Sequence, residues 1–166
     1  MGERAEIYIL DENSGVELWC HWCGRKEEFL YTMDGFVDFA IDCVGDQLHW
    51  LNYPTDVAAM LIAYDYEEMK ALQKRYHWNR CRPDIRPRGN IWDFGYIWII
   101  KLEGKFWRVL GFCISDMDIP EKTMEKLREL LRNGKLEEAL SLEIKENKTL
   151  HDYIFAEKTY EVYQDA

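Results

Sequence analysis

No apolar run in this 166-residue chain approaches the ~18 residues that a membrane-crossing helix requires. The opening Met1-Gly2-Glu3-Arg4-Ala5-Glu6 lacks the basic-then-apolar order of a secretory signal, and Glu6 stands where a myristoylation signal has Ser or Thr. Signatures of nucleotide cofactors, hydrolase elbows and zincins are missing: there is no Gly-x-x-x-x-Gly-Lys-Ser/Thr, Gly-x-Gly-x-x-Gly, Gly-x-Ser-x-Gly or His-Glu-x-x-His. Internal repeats, low-complexity tracts and linkers are absent too, so residues 1–166 read as a single domain long enough to bury a core. Five cysteines, an odd number, without an export signal argue for free thiols in a reducing cytoplasm. Cys20-His21-Trp22-Cys23 has the spacing of half a zinc site, with Cys43, Cys81, His49 and His77 as the only completions worth weighing. Without a second Cys-x-x-Cys or a matching His pair, no metal is expected, and Cys20 and Cys23 read as free packing thiols, with redox thiol chemistry the lesser alternative because the motif ends a strand instead of opening a helix.

What the chain does have is aromatic residues and acid. Aromatics make up 14%, with seven tryptophans and ten tyrosines, and large flat side chains left exposed suit a binding surface. The formal net charge is -10. Residues 1–76 hold 15 acids against 6 bases and residues 117–166 hold 12 against 8, whereas residues 77–116 hold 4 against 7. That positive stretch contains Arg80, Arg82, Arg86 and Arg88, interleaved with Pro83 and Pro87 and flanked by Tyr76, Trp78 and Trp92. Proline keeps its predecessor extended, which predicts an ordered loop, and the planar guanidinium can grip a carboxylate or phosphate with two bonds. These seven residues are the expected binding surface.

Periodicity predicts an α+β fold: an antiparallel sheet of two hairpins with helices packed on it. Residues 5–10 and 16–22 alternate around the turn Asp11–Gly15, and residues 91–102 and 106–114 flank Glu103-Gly104-Lys105. Apolar residues recur at helical spacing over 28–44 and 55–76, the second stripe running Val57, Met60, Leu61, Tyr64, Met69, Leu72. A short strand is expected at 48–53, and short helices at 121–132 and 135–142. A last helix is expected from Thr149, where Thr149…Asp152 has the form of a helix cap.

By type, His21 is the first candidate for acid–base work near neutral pH. Asp84, inside the arginine loop, and Asp93, just after it, are the carboxylates that a Mg²⁺-dependent nuclease would draw on, with Asp65, Glu67 and Glu68 nearby on the helix. In that case Mg²⁺ is the cofactor; otherwise none is expected.

The opening Met1-Gly2-Glu3-Arg4-Ala5-Glu6-Ile7, the strand end Leu18-Trp19-Cys20-His21-Trp22-Cys23-Gly24 and the later Tyr96-Ile97-Trp98-Ile99-Ile100 with Gly104-Lys105-Phe106-Trp107 resemble a group of small phage and archaeal-virus proteins. Those proteins open Met-Gly-Thr-Arg-Ala and carry Tyr-Cys-His-Trp-Asp-Gly-Tyr-Pro at the second strand's end. The resemblance covers residues 1–36 and 92–109; Cys23 stands in place of the group's Asp, and Arg25-Lys26 in place of its Tyr-Pro. It implies an accessory protein of a virus or mobile element that binds a host or viral protein in the host cytoplasm, a homodimer being one arrangement. The alternatives are a nuclease and a small-nucleotide binder, in which the arginines hold phosphate and tryptophans stack on the base.

Overall fold

The computed structural model describes residues 4–89 and 94–163. Its elements run β1 (Ala5–Leu10), β2 (Gly15–Cys20), α1 (Lys26–Val44), α2 (Pro54–Tyr76), β3 (Ile85–Pro87), β4 (Tyr96–Glu103), β5 (Phe106–Cys113), α3 (Glu121–Arg132), α4 (Leu136–Leu140), β6 (Glu143–Lys145), β7 (Lys148–Thr149) and β8 (Ile154–Glu161). The class is α+β. The sheet is larger than two hairpins: six strands in the order β3-β2-β1-β4-β5-β8, with β1 and β4 parallel and every other pair antiparallel.

Both expected hairpins are present, the second with its first strand starting at Tyr96 (residues 91–93 of that expectation lie outside the described residues), and β1 joins them by pairing Ala5–Leu10 with Tyr96–Lys101. Two further strands extend the edges. One is β3, three residues taken from the arginine loop, with Pro87 tolerated because an edge strand leaves one side unpaired. The other is β8, which corrects the terminal helix. Thr149 and Asp152 do form a reciprocal capping box, but it starts a single 3-10 turn, Leu150–Tyr153, before the chain extends along β5. Residues Leu48–Asn52 are likewise a 3-10 turn rather than a strand, pinned by a bond from Trp107 Nε1 to the Leu51 carbonyl of 2.9 Å.

Period-two alternation divides the sheet into two apolar faces. Ile7, Ile9, Leu18, Cys20, Trp98, Ile100, Trp107 and Val109 pack under α1 and α2. Tyr8, Leu10, Ile97, Ile99, Leu110 and Phe112 pack under α3 and α4. Helix α1 buries Phe29, Met33, Phe36, Val37, Ala40 and Val44, a stripe at helical spacing, and stops at Gly45, whose φ of 58° a side chain would resist. Helix α2 differs. Its fully buried residues, Pro54, Val57, Ala58 and Leu61, all lie in its first eight positions. From Ile62 onward, a helix of 23 residues, about 34 Å long, runs past the core with its apolar stripe only partly covered.

Candidate functional site

The four arginines do not form one exposed surface. Arg80 and Arg82 are exposed, but Arg86 and Arg88 are half-buried and turned onto the protein. Strand β3 sets Arg86 opposite Trp19, with its guanidinium 5.1 Å from the indole and Nε donating to the Pro83 carbonyl at 2.7 Å. Arg88 donates to Glu6, lies 3.6 Å from Glu17 and stands 4.6 Å over the Phe94 ring. This corrects the expectation of four presented cations: alternation along a strand sends residues 86 and 88 to one face, where carboxylates wait. Tyr76 and Trp78 are exposed beside Arg80, with rings 5.8 Å apart and nearly parallel. Trp92 and Asp93 lie outside the described residues.

Glu6 is the centre of that second face. It is 0% exposed, the only buried charged residue among those described, and it sits between the sheet and α3. Arg128 of α3 meets it with two bonds, Nε to Oε1 at 2.8 Å and Nη2 to Oε2 at 3.1 Å. The single proton of the Tyr8 hydroxyl is shared between Glu6, 2.9 Å away, and Glu17, which accepts from Arg132 at 3.1 Å. Burial, then the adjacent Glu6 and Glu17 charges, hold the Tyr8 phenol well above its ordinary range, so it stays a proton donor. Two carboxylates, three guanidiniums and a phenol satisfy one another here. That is how a buried charge is made tolerable, and it leaves little for a ligand to take.

The opposite face has an open cleft of about 410 Å³ between α1, the overhanging half of α2 and the turn after β2. Trp22, Tyr31, Tyr64, Met69 and Leu72 supply apolar walls, and Glu28, Asp65, Glu68 and Asp84 supply carboxylates, with Arg75 the one cation among the described residues of the lining. Trp22 is 61% exposed and Tyr31 77%. The turn that presents Trp22 is anchored from below. Trp98 Nε1 donates to the Gly24 carbonyl at 2.9 Å, and the Trp98 indole stacks on Phe29 at 4.4 Å. Asp84 Oδ2 accepts the Trp22 backbone NH at 3.0 Å and lies 3.0 Å from Cys20 Sγ. Asp65 reaches across from α2, its Oδ2 accepting the Asp84 and Ile85 backbone NH groups. Burial, outweighing those two bonds, and the neighbouring Asp84 charge push the Asp65 carboxyl up to about 6.

The cysteine expectation is corrected at this turn. Strand β2 ends at Cys20 rather than running on to Trp22, and the chain folds back so that Cys20 and Cys23 are joined in a disulfide. Cys43, Cys81 and Cys113 take no part in a disulfide. Reduced, Cys20 and Cys23 with Asp84 would offer two thiolates and a carboxylate within 4.8 Å of one another, a donor set that zinc accepts, but among the described residues no fourth side chain joins them. His21 stacks on Trp22 at 4.4 Å, nearly parallel, instead of joining the carboxylates. Of His21 and Asp84, the described residues among those expected to carry catalysis, Asp84 is found in the cleft lining. Three of the cleft walls that sequence reasoning missed, Tyr64, Met69 and Leu72, had a signal, an apolar stripe on α2 that continues about three turns beyond Leu61, its last buried residue; Tyr31, on α1, had none.

Comparison of the chain with protein-family models, with curated proteins and with solved structures finds no match. Among the described residues, no helix is long and apolar enough to cross a membrane.

Proposed function

We propose that this protein is a binding protein, and that it recognises a protein partner through the cleft beside Trp22, taking a basic side chain of that partner between aromatic walls and carboxylates. The observation that carries this reading is the pairing of the exposed Trp22 and Tyr31 with Glu28, Asp65 and Glu68 in one cleft. Aromatic faces attract a guanidinium or ammonium group, most strongly where water is displaced, and carboxylates complete its hydrogen bonds. Exposed aromatics are also the residues from which interface hot spots are built. The acidity of the whole chain draws a basic partner in from a distance. The resemblance to phage and archaeal-virus proteins extends this proposal to an accessory role in a virus or mobile element.

The nuclease and nucleotide-binding alternatives have less support. A phosphate grip built on the loop retains Arg80 and Arg82, since Arg86 and Arg88 are engaged by Trp19, Glu6 and Glu17. Isothermal titration with an arginine-rich peptide and with a glutamate-rich one of equal length tests the proposal. The basic peptide should bind, and Trp22→Ala with Tyr31→Ala should abolish that binding while leaving the net charge unchanged. Binding that survives the double substitution would reduce the interaction to long-range attraction and remove the cleft from it.

A further inference from the structure

The Cys20–Cys23 pair is placed for more than holding a turn. Both cysteines are buried, but Cys20 is 0% exposed at the end of β2, whereas Cys23 is 7% exposed and contributes to the wall of the cleft. The two sulfurs therefore differ in access: a molecule in the cleft meets Cys23 and not Cys20. On the far side of the bond, Asp84 Oδ2 stands 3.0 Å from Cys20 Sγ, fixed there by the Trp22 NH it accepts. Asp84 is held in turn by Asp65 through its own backbone NH. A sulfur at the cleft wall and a more deeply buried leaving sulfur set the order of attack in thiol–disulfide exchange, and a carboxyl group beside the leaving sulfur assists it when it supplies a proton.

We propose that Cys20 and Cys23 form a thiol–disulfide exchange site that takes its reductant, a small thiol or an exposed cysteine of a protein, through the cleft. The thiolate of the reductant attacks Cys23 Sγ. A sulfur–sulfur bond forms between them, the Cys20–Cys23 bond breaks, and its electron pair leaves with Cys20 Sγ. Asp84, at the cleft wall, passes a proton from solvent to that sulfur, and the resulting thiol donates back to Oδ2. A second thiolate then attacks the reductant's sulfur in the mixed disulfide and releases Cys23 as a thiolate. Two external thiols become one external disulfide, and the protein gains two thiols. Run backwards, the same steps oxidise the site with an external disulfide. This activity does not depend on the binding proposed above, because it needs the cleft to admit a thiol and not to hold a basic side chain.

Reduced and oxidised glutathione are the probes, with alkylation of the native protein followed by peptide mass mapping as the readout. Reduced glutathione should make Cys23 alkylatable without unfolding and Cys20 alkylatable once the reduced protein is denatured, with Cys43, Cys81 and Cys113 as internal references. Limiting oxidised glutathione should trap Cys20→Ser as a mixed disulfide at Cys23, while Cys23→Ser should leave Cys20 unmodified. Asp84→Asn should slow reduction about a hundredfold, at the low end of what a positioned acid–base group contributes, and Asp84→Glu should restore part of it. If the cysteine variants fail to fold, the wild-type protein still decides the matter through the order of reaction, with glutathione appearing first on Cys23. The proposal is overturned if the bond opens only in denaturant, if glutathione appears first on Cys20, or if Asp84→Asn reacts at the wild-type rate.

Discussion

Strand β2 carries two different environments back to back. Towards α3 it presents Glu17 and Trp19, and there every charge meets a partner: Glu17 takes Tyr8, Arg88 and Arg132, while Trp19 lies under Arg86. Towards α1 and α2 it presents Leu18 and Cys20, and the chain beyond opens into a cleft where Trp22 and Tyr31 face solvent. One side is closed by opposite charges drawn from distant parts of the chain. The other remains open because α2 overruns the core that would have covered it. The contrast separates charges that hold the fold from side chains that are free to meet something else, and abundance of a residue type distinguishes neither.

The largest effect should come from the closed side. Glu6→Gln leaves Arg88 and Arg128 without their full counter-charge, and we expect it to cost about 3–5 kcal/mol of stability, the range for breaking a buried ion pair. Urea denaturation measures it, and a loss below 1 kcal/mol would mean that the cluster is solvated rather than closed. On the open side, Trp22→Ala should leave stability within about 0.5 kcal/mol of wild type yet weaken binding of the basic peptide by about 2 kcal/mol, roughly thirtyfold. A Trp22→Ala protein that unfolds readily and still binds would reverse the contrast.

Asp65 allows a test by pH. Its folded carboxyl is raised to about 6 from an ordinary 3.8, so between those values the folded chain holds more proton than the unfolded one. Stability attributable to this group is therefore highest below the ordinary value and falls as pH rises towards 6, the reverse of a salt-bridged carboxylate. Asp84 and Arg86 are the charged groups acting on it, with opposite sign. Asp65→Asn keeps an oxygen for the two backbone NH groups and should flatten that part of the stability profile; a wild-type slope retained in the variant would assign it to another group. Smaller still, Arg86→Ala should cost about 0.5–1 kcal/mol through its lost contact with Trp19. Arg80→Ala and Arg82→Ala, both exposed, should fall within about 0.5 kcal/mol of wild type. Denaturant midpoints that placed these exposed arginines above Arg86 would overturn the division of the loop.

Local pattern was enough for much of this fold. The hairpins at 5–20 and 96–113, the helices at 26–44, 54–76 and 121–132 and the α+β class all follow from alternation, helical spacing and turn residues, which act between near neighbours. Even the capping box at Thr149 was legible. Its meaning was not, because Ile154–Glu161 extend only where β5 offers an unpaired edge, with Ala156 and Tyr160 turned to the core. The site was less legible than the fold. Aromatic abundance and Asp84 were visible, but the arginine loop pointed at the wrong surface, since nothing near Arg88 in sequence reveals a Glu6 carboxylate 82 residues away.

The sequence by itself therefore determined the elements and which of their faces are apolar, because propensity and periodicity are set by residues a few positions apart. Only the tertiary structure decided which charges meet, which cysteines join and where a helix outruns its core. Arg128 reaches Glu6 across 122 residues, and Asp84 reaches Cys20 across 64, through strand pairings and helix packing that bring remote segments together. Burial makes those meetings consequential: a carboxylate costs little in water and requires partners once the sheet and α3 have closed over it.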